Sequence, residues 1–168
     1  AQAEMPRDNT LSPQEQDPET AQALRKLIAD HRFKGRRVVS CLGSEELFVQ
    51  NIRLPQLPEE ELEKVVSWEA EERLPYPVAD AEIRHLLAGE VRQDANVKQE
   101  VILLACHRGI IDRHISMLEL AGLTPDAVDV EPCAVLRCLE SQSGGSQETE
   151  SATAAGSRRA YLNLGEKA

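Results

Sequence analysis

Along the first half of the chain the apolar positions change their spacing twice. Ala21, Leu24, Leu27 and Ile28 recur at three and four residues, the stripe of an amphipathic helix. The stretch "PETAQALRKLIADHRFKG" therefore predicts a helix with Pro18 in its first turn and Gly35 just past its end. In "RRVVSCLGSEELFVQNIRLP" the pattern predicts two strands, Val38 to Leu42 and Leu47 to Leu54, with a short turn at Gly43-Ser44. After Pro58 the helical spacing returns from about Glu59 to Arg73, with Leu62, Val65, Val66 and Ala70 on one face at 100° per residue. Its opening acids Glu59, Glu60 and Glu61 suit the positive end of the helix dipole. Strands follow at Glu82 to Glu90 and Gln99 to Cys106, around a polar turn at residues 93–96. The string "VILLAC" is apolar on both faces, which marks an interior strand. A helix from Ile110 to Ala121, stopped by Gly122, precedes the strand "TPDAVDVEP" and a short helix "CAVLRCLES".

From Leu47 to Val130 the order is strand, helix, strand, strand, helix, strand, which suits a small α/β sandwich with helices on one sheet face. Residues 1–17, polar and punctuated by proline, read as a disordered connector. The Ser/Gly/Thr/Glu-rich run "SQSGGSQETESATAAGSRR" (residues 141–159) reads as a flexible loop, and "AYLNLG" as a last strand entering a glycine turn.

The helix ending at Leu74-Pro75-Tyr76-Pro77 holds the sole tryptophan and leads into one of two tyrosines. Prolines on both sides of Tyr76 stop a helix, since each lacks an N–H and clashes with the preceding turn. Trp68 and Tyr76 are expected to wedge the helix end against its sheet. The alternative is that Trp68 and Glu69 border a recognition surface. Glu69 falls inside the apolar arc, with Arg73 one turn on as an i,i+4 partner.

Composition narrows the function. With 29 acidic and 19 basic residues among 168, the net charge is −10, which argues against nucleic acid, whose phosphates need a basic face. No apolar run approaches the roughly 18 residues of a membrane span. Cys41, Cys106, Cys133 and Cys138 form no CxxC, and predict free, mostly buried thiols of a reducing compartment. His31, His85, His107 and His114 have no metal-ligand spacing, and His114 reads as a satisfied histidine at the edge of the core. The chain lacks an initial Met and breaks off at Ala168, so a piece of something longer is expected.

Two strings carry a resemblance: "LPQLPEEELEKVVSWEAEERLPYPVADAEIRHLLAG" and "QEVILLACHRGIIDRHISMLELAGLTPDAVDVEPCAVLRCL". They resemble the PilM family, cytoplasmic actin-like proteins of type IV pilus assembly and competence that are akin to the cell-division protein FtsA. The resemblance implies an α/β fragment of an actin-like, ribonuclease-H-type fold. Residues 47–127 would form its subdomain 1C, an SHS2-type module of order strand-helix-strand-strand-helix-strand. Residues 18–46 and 128–140 would be parts of subdomain 1A, and 160–168 the start of a second phosphate-loop strand. There Asn163 and Gly165 would occupy a degenerate nucleotide site, with Asn163 where the family has Asp, so a charge that helps hold magnesium is lost.

The same resemblance implies a binding protein and no enzyme in this chain, with ATP and Mg left to a full-length parent. The implied partner is the cytoplasmic tail of a PilN-type inner-membrane protein, held in a cleft between 1A and 1C. Trp68, Glu69 and Tyr76 are the candidate contacts. The implied location is cytoplasmic, at the pilus inner-membrane platform through partners, without direct membrane insertion. Two alternatives remain open on the sequence: an incomplete ATPase or kinase of the actin-like superfamily, and a type II secretion scaffold resembling GspL.

Overall fold

The computed structural model describes residues 13–31, 33–93 and 96–143. The elements run α1 (Pro13–Asp30), β1 (Arg37–Leu42), β2 (Phe48–Pro55), α2 (Glu59–Arg73), β3 (Ala81–Gln93), β4 (Asn96–His107), α3 (Arg108–Leu120), β5 (Thr124–Val130) and α4 (Glu131–Ser143). Single 3-10 turns at Ser44–Glu46 and Val78–Asp80 lead into β2 and β3.

The doubly apolar β4 is the middle strand of an antiparallel sheet of order β2-β4-β3, as its composition predicts. Its pleat sends Val101 and Leu103 to one face, where α2 delivers Leu62, Val66 and Ala70, and β2 adds Ile52 and Leu54. These seven side chains are buried and form the principal core. Burying a Leu or Val of this kind stabilises a fold by about 1.5–3 kcal/mol. The other face of β4 carries Leu104 and Cys106, also buried.

The expected single sheet of four strands, with both helices on one face, does not form. β5 leaves the three-stranded sheet and pairs in parallel with β1, from Arg37↔Thr124 to Leu42↔Val130. The boundary expected at residue 127 therefore falls inside β5. The reason is the connection: α3 ends in a Schellman turn, Leu123 N–H donating to the Leu118 carbonyl at 3.0 Å and Gly122 N–H to Glu119 at 2.8 Å. Gly122 adopts φ +78° there, which turns the chain so that Thr124 N–H reaches the Arg36 carbonyl at 2.8 Å. Both α3 and α4 pack on the β1–β5 pair, and α1 packs on α3.

The first helix starts at Pro13, upstream of the predicted start, with Pro18 inside it. Residues 13–17 of the expected connector are thus helical, and Asp17 lies 3.8 Å from Arg113 on α3, which ties that turn to the body. The cysteine expectation also needs correction. Only Cys106 is buried, Cys133 is half-buried, and Cys41 and Cys138 are exposed, because their strand and helix turn those positions outward. The expected loop beyond residue 143, the strand at residues 160–168, and residues 1–12 lie outside the described residues.

Candidate functional site

Splitting the strands between two sheets leaves a cleft of about 760 Å³ between them. One wall is the free-edge strand β3 with the Leu104–Cys106 end of β4, and the other is β5 with Cys133 and Arg137 of α4. Apolar side chains make much of its lining: Leu42, Leu47, Leu104, Ile111, Ile115 and Val128. They meet here because α3 turns Ile111 and Ile115 inward, on successive turns, above Leu104 of β4. An apolar trough with a few polar groups at its rim is the usual form of a binding site.

The rim is charged. Glu82 on β3 pairs with Arg84 at 2.6 Å and with Arg108 at 3.4 Å, while Arg108 Nε also donates to the Ala81 carbonyl at 3.0 Å. Across the cleft Asp126 pairs with Arg37 at 2.8 Å, and Asp129 pairs with Arg137. These pairs are largely exposed and add little to stability, so they are available to exchange partners with a ligand. Burial raises the Cys106 thiol pKa, with the Glu46 carboxylate adding to the effect. A thiol so placed acts as an apolar lining group and not as a nucleophile.

Tyr76 resolves half of the Leu-Pro-Tyr-Pro question. Its ring packs edge-on against His107, with centroids 5.2 Å apart, and His107 Nδ1 accepts from Gly109 N–H at 3.0 Å to cap α3. Burial raises the tyrosine pKa, and the neighbouring Cys106 raises it further. Tyr76 thus pins the α2–β3 connection to the junction of β4 and α3. Trp68 corrects the other half, since it is 67% exposed and wedges nothing. At 100° per residue it lies well outside the arc of Leu62, Val66 and Ala70. Glu69 forms the i,i+4 pair with Arg73, at 2.5 Å and 3.0 Å to two guanidinium nitrogens. None of Trp68, Glu69 and Tyr76 lines the cleft.

His114 is half-buried, and its Nε2 lies 3.0 Å from Ser40 Oγ, the satisfied arrangement read from the sequence. Sequence reasoning missed the cleft-lining set itself. Its signal lay in "CHRGII" and "TPDAVDVEP", but only the β1–β5 pairing brings them face to face. Among the described residues no cluster of His, Cys, Asp or Glu has the form of a metal site. Asn163 and Gly165 lie outside them.

With this geometry the comparisons agree. The family model described as type IV pilus assembly protein PilM matches residues 1–152. The chain belongs to the PilM family. A chain of a solved PilM-PilN type IV pilus biogenesis complex is similar to it at 26% identity, with a TM-score of 0.66. That match covers 82% of this chain and 42% of that one, so the chain spans less than half the length of its PilM relative. The cytoplasmic domain of EpsL, an inner membrane component of the type II secretion system of Vibrio cholerae, matches at 16% identity and a TM-score of 0.44. It covers 66% of this chain and 42% of that domain, a likeness too slight to argue from. The two sheets and their helices are part of the actin-like fold of the PilM family.

Proposed function

We propose that this chain is a scaffold that holds the cytoplasmic tail of a PilN-type inner-membrane protein in the cleft between the two sheets. The observation that carries the reading is the cleft: an apolar trough flanked by β3 and β5, each with one edge unpaired among the described residues. An extended peptide entering there would add main-chain hydrogen bonds to one strand edge and place alternate side chains on Leu104, Ile111 and Val128. The presence of PilN in the similar solved complex supports the choice of partner. In this reading the chain sits on the cytoplasmic face and reaches the pilus platform through its partner; no described helix is long and apolar enough to cross a membrane. It is a binding role without turnover in this chain.

The test is titration of a fluorescein-labelled PilN-type tail peptide, followed by anisotropy. Ala127 is exposed and lines the cleft, so Ala127→Arg blocks the trough without opening the core. Saturable binding is expected, at least tenfold weaker in Ala127→Arg and unchanged in Trp68→Ala. Absence of saturable binding, or equal binding by Ala127→Arg, refutes the cleft as the tail site.

A further inference from the structure

The outer face of α2 has no task in the fold or in the cleft. Trp68 is 67% exposed there, and it enters neither a ring-stacking nor a cation–π contact among the described residues. Lys64 and Val65 lie one turn before it, and Glu71 and Glu72 one turn after it. Glu61 lies two turns before, close to the same line along the helix. Glu61, Glu71 and Glu72 are exposed and enter no ion pair among the described residues. The whole helix carries seven glutamates against one lysine and one arginine, a net charge of −5 (2 − 7). Glu69 and Arg73 neutralise each other, and of the remaining charges Glu61, Glu71, Glu72 and Lys64 lie on the face that Trp68 shares, a net charge of −2 (1 − 3).

An exposed indole is a large apolar surface left in water, and it contributes nothing to the core of Leu62, Val66 and Ala70 on the opposite side. The carboxylates of Glu71 and Glu72 on its C-terminal side, with Glu61 two turns back, select what can cover it. The indole face attracts cations, and the carboxylates bind guanidinium or ammonium groups. A second copy of this chain, at net charge −10, is repelled, and an anionic lipid surface is too.

We propose that this face is a second docking surface, separate from the cleft, for a basic segment of a protein partner that sets an arginine or lysine on the Trp68 ring. The cation stacks on the indole, and neighbouring basic groups pair with Glu71 and Glu72.

Because the chain has a single tryptophan, its emission reports the contact directly. The probe is a synthetic peptide of alternating arginine and leucine, with a glutamate–leucine peptide as its counterpart. The basic peptide should shift Trp68 emission saturably, more weakly as salt rises, and the acidic one should leave it unchanged. Labelled basic peptide, followed by anisotropy, should bind Trp68→Ala roughly tenfold more weakly. The pair Glu71→Lys and Glu72→Lys should lose binding by at least that factor. All three side chains are exposed, so the thermal melts of these variants should superimpose on that of the parent. Equal binding by Trp68→Ala reduces the contact to bulk charge and overturns the proposal. So does binding that survives the charge reversal, or a Trp68-dependent dimer of the chain alone in sedimentation.

Discussion

At the scale of single residues, His114 makes the chain sensitive to acid. Its ring sits where α1, β1, the Ser44–Glu46 turn and α3 meet. Burial lowers its pKa below the ordinary 6.5, and Arg113 pushes the same way, while Glu46 and Asp17 partly oppose them. The unfolded imidazole therefore takes up its proton at a higher pH than the folded one. Between those two values the unfolded state holds more protons, so stability rises with pH there. The contribution is complete above the ordinary histidine value and is lost as pH falls through the lower, folded one. Melting temperature followed from about pH 7.5 to about pH 5 should fall over this window. In His114→Gln, which keeps a polar group for Ser40, that part of the slope should vanish. An unchanged slope assigns the acid sensitivity elsewhere. The environment of His114 was legible in outline, since it shares a face with Ile111, Ile115 and Leu118. Its partner Ser40 was not, because 74 residues separate the two in sequence and only the fold joins them.

At the scale of elements, pattern and structure agree where one element decides its own fate. The bounds of α2, Glu59 and Arg73, follow from Pro58 at one end and Leu-Pro-Tyr-Pro at the other. The interior place of β4 follows from its apolar character on both faces. Leu103 at its middle is fully buried, so Leu103→Ala should cost about 2–5 kcal/mol of stability, by denaturant unfolding, through lost contacts and a residual cavity. Val49→Ala on the neighbouring β2 is 52% exposed and should stay within about 0.5 kcal/mol of the parent. Costs that are similar for the two would show that the sheet packs on the opposite face. Trp68 shows where pattern fails. Its size and apolar character suggest a packing role, but its place on the wheel, far from Leu62, Val66 and Ala70, turns it to solvent.

At the scale of the whole molecule, the order of elements did not reveal how they divide between sheets. Strand pattern carries local information, whereas pairing β5 with β1 depends on the turn after α3 and on what α4 covers. The division implies unequal stability. The β2-β4-β3 sheet shares a continuous core with α2, while the β1–β5 pair has two strands and leaves Val39 65% exposed. Amide hydrogen exchange should therefore be slowest in β4 at residues 101–105 and faster by orders of magnitude in β1. The reverse order would place the stability centre in the smaller sheet.

The same parallel pair has a consequence during synthesis. Arg37 and Thr124 are partners 87 residues apart (124 − 37). At about 5–20 residues per second, a ribosome would deliver β1 roughly 4–17 s before β5 exists. Meanwhile β2, α2, β3 and β4 emerge as a unit whose contacts are nearer in sequence and which can fold first. Through that interval β1 waits with bare edges, preceded by Arg36 and beginning at Arg37, charges that oppose its joining a strand of another nascent chain.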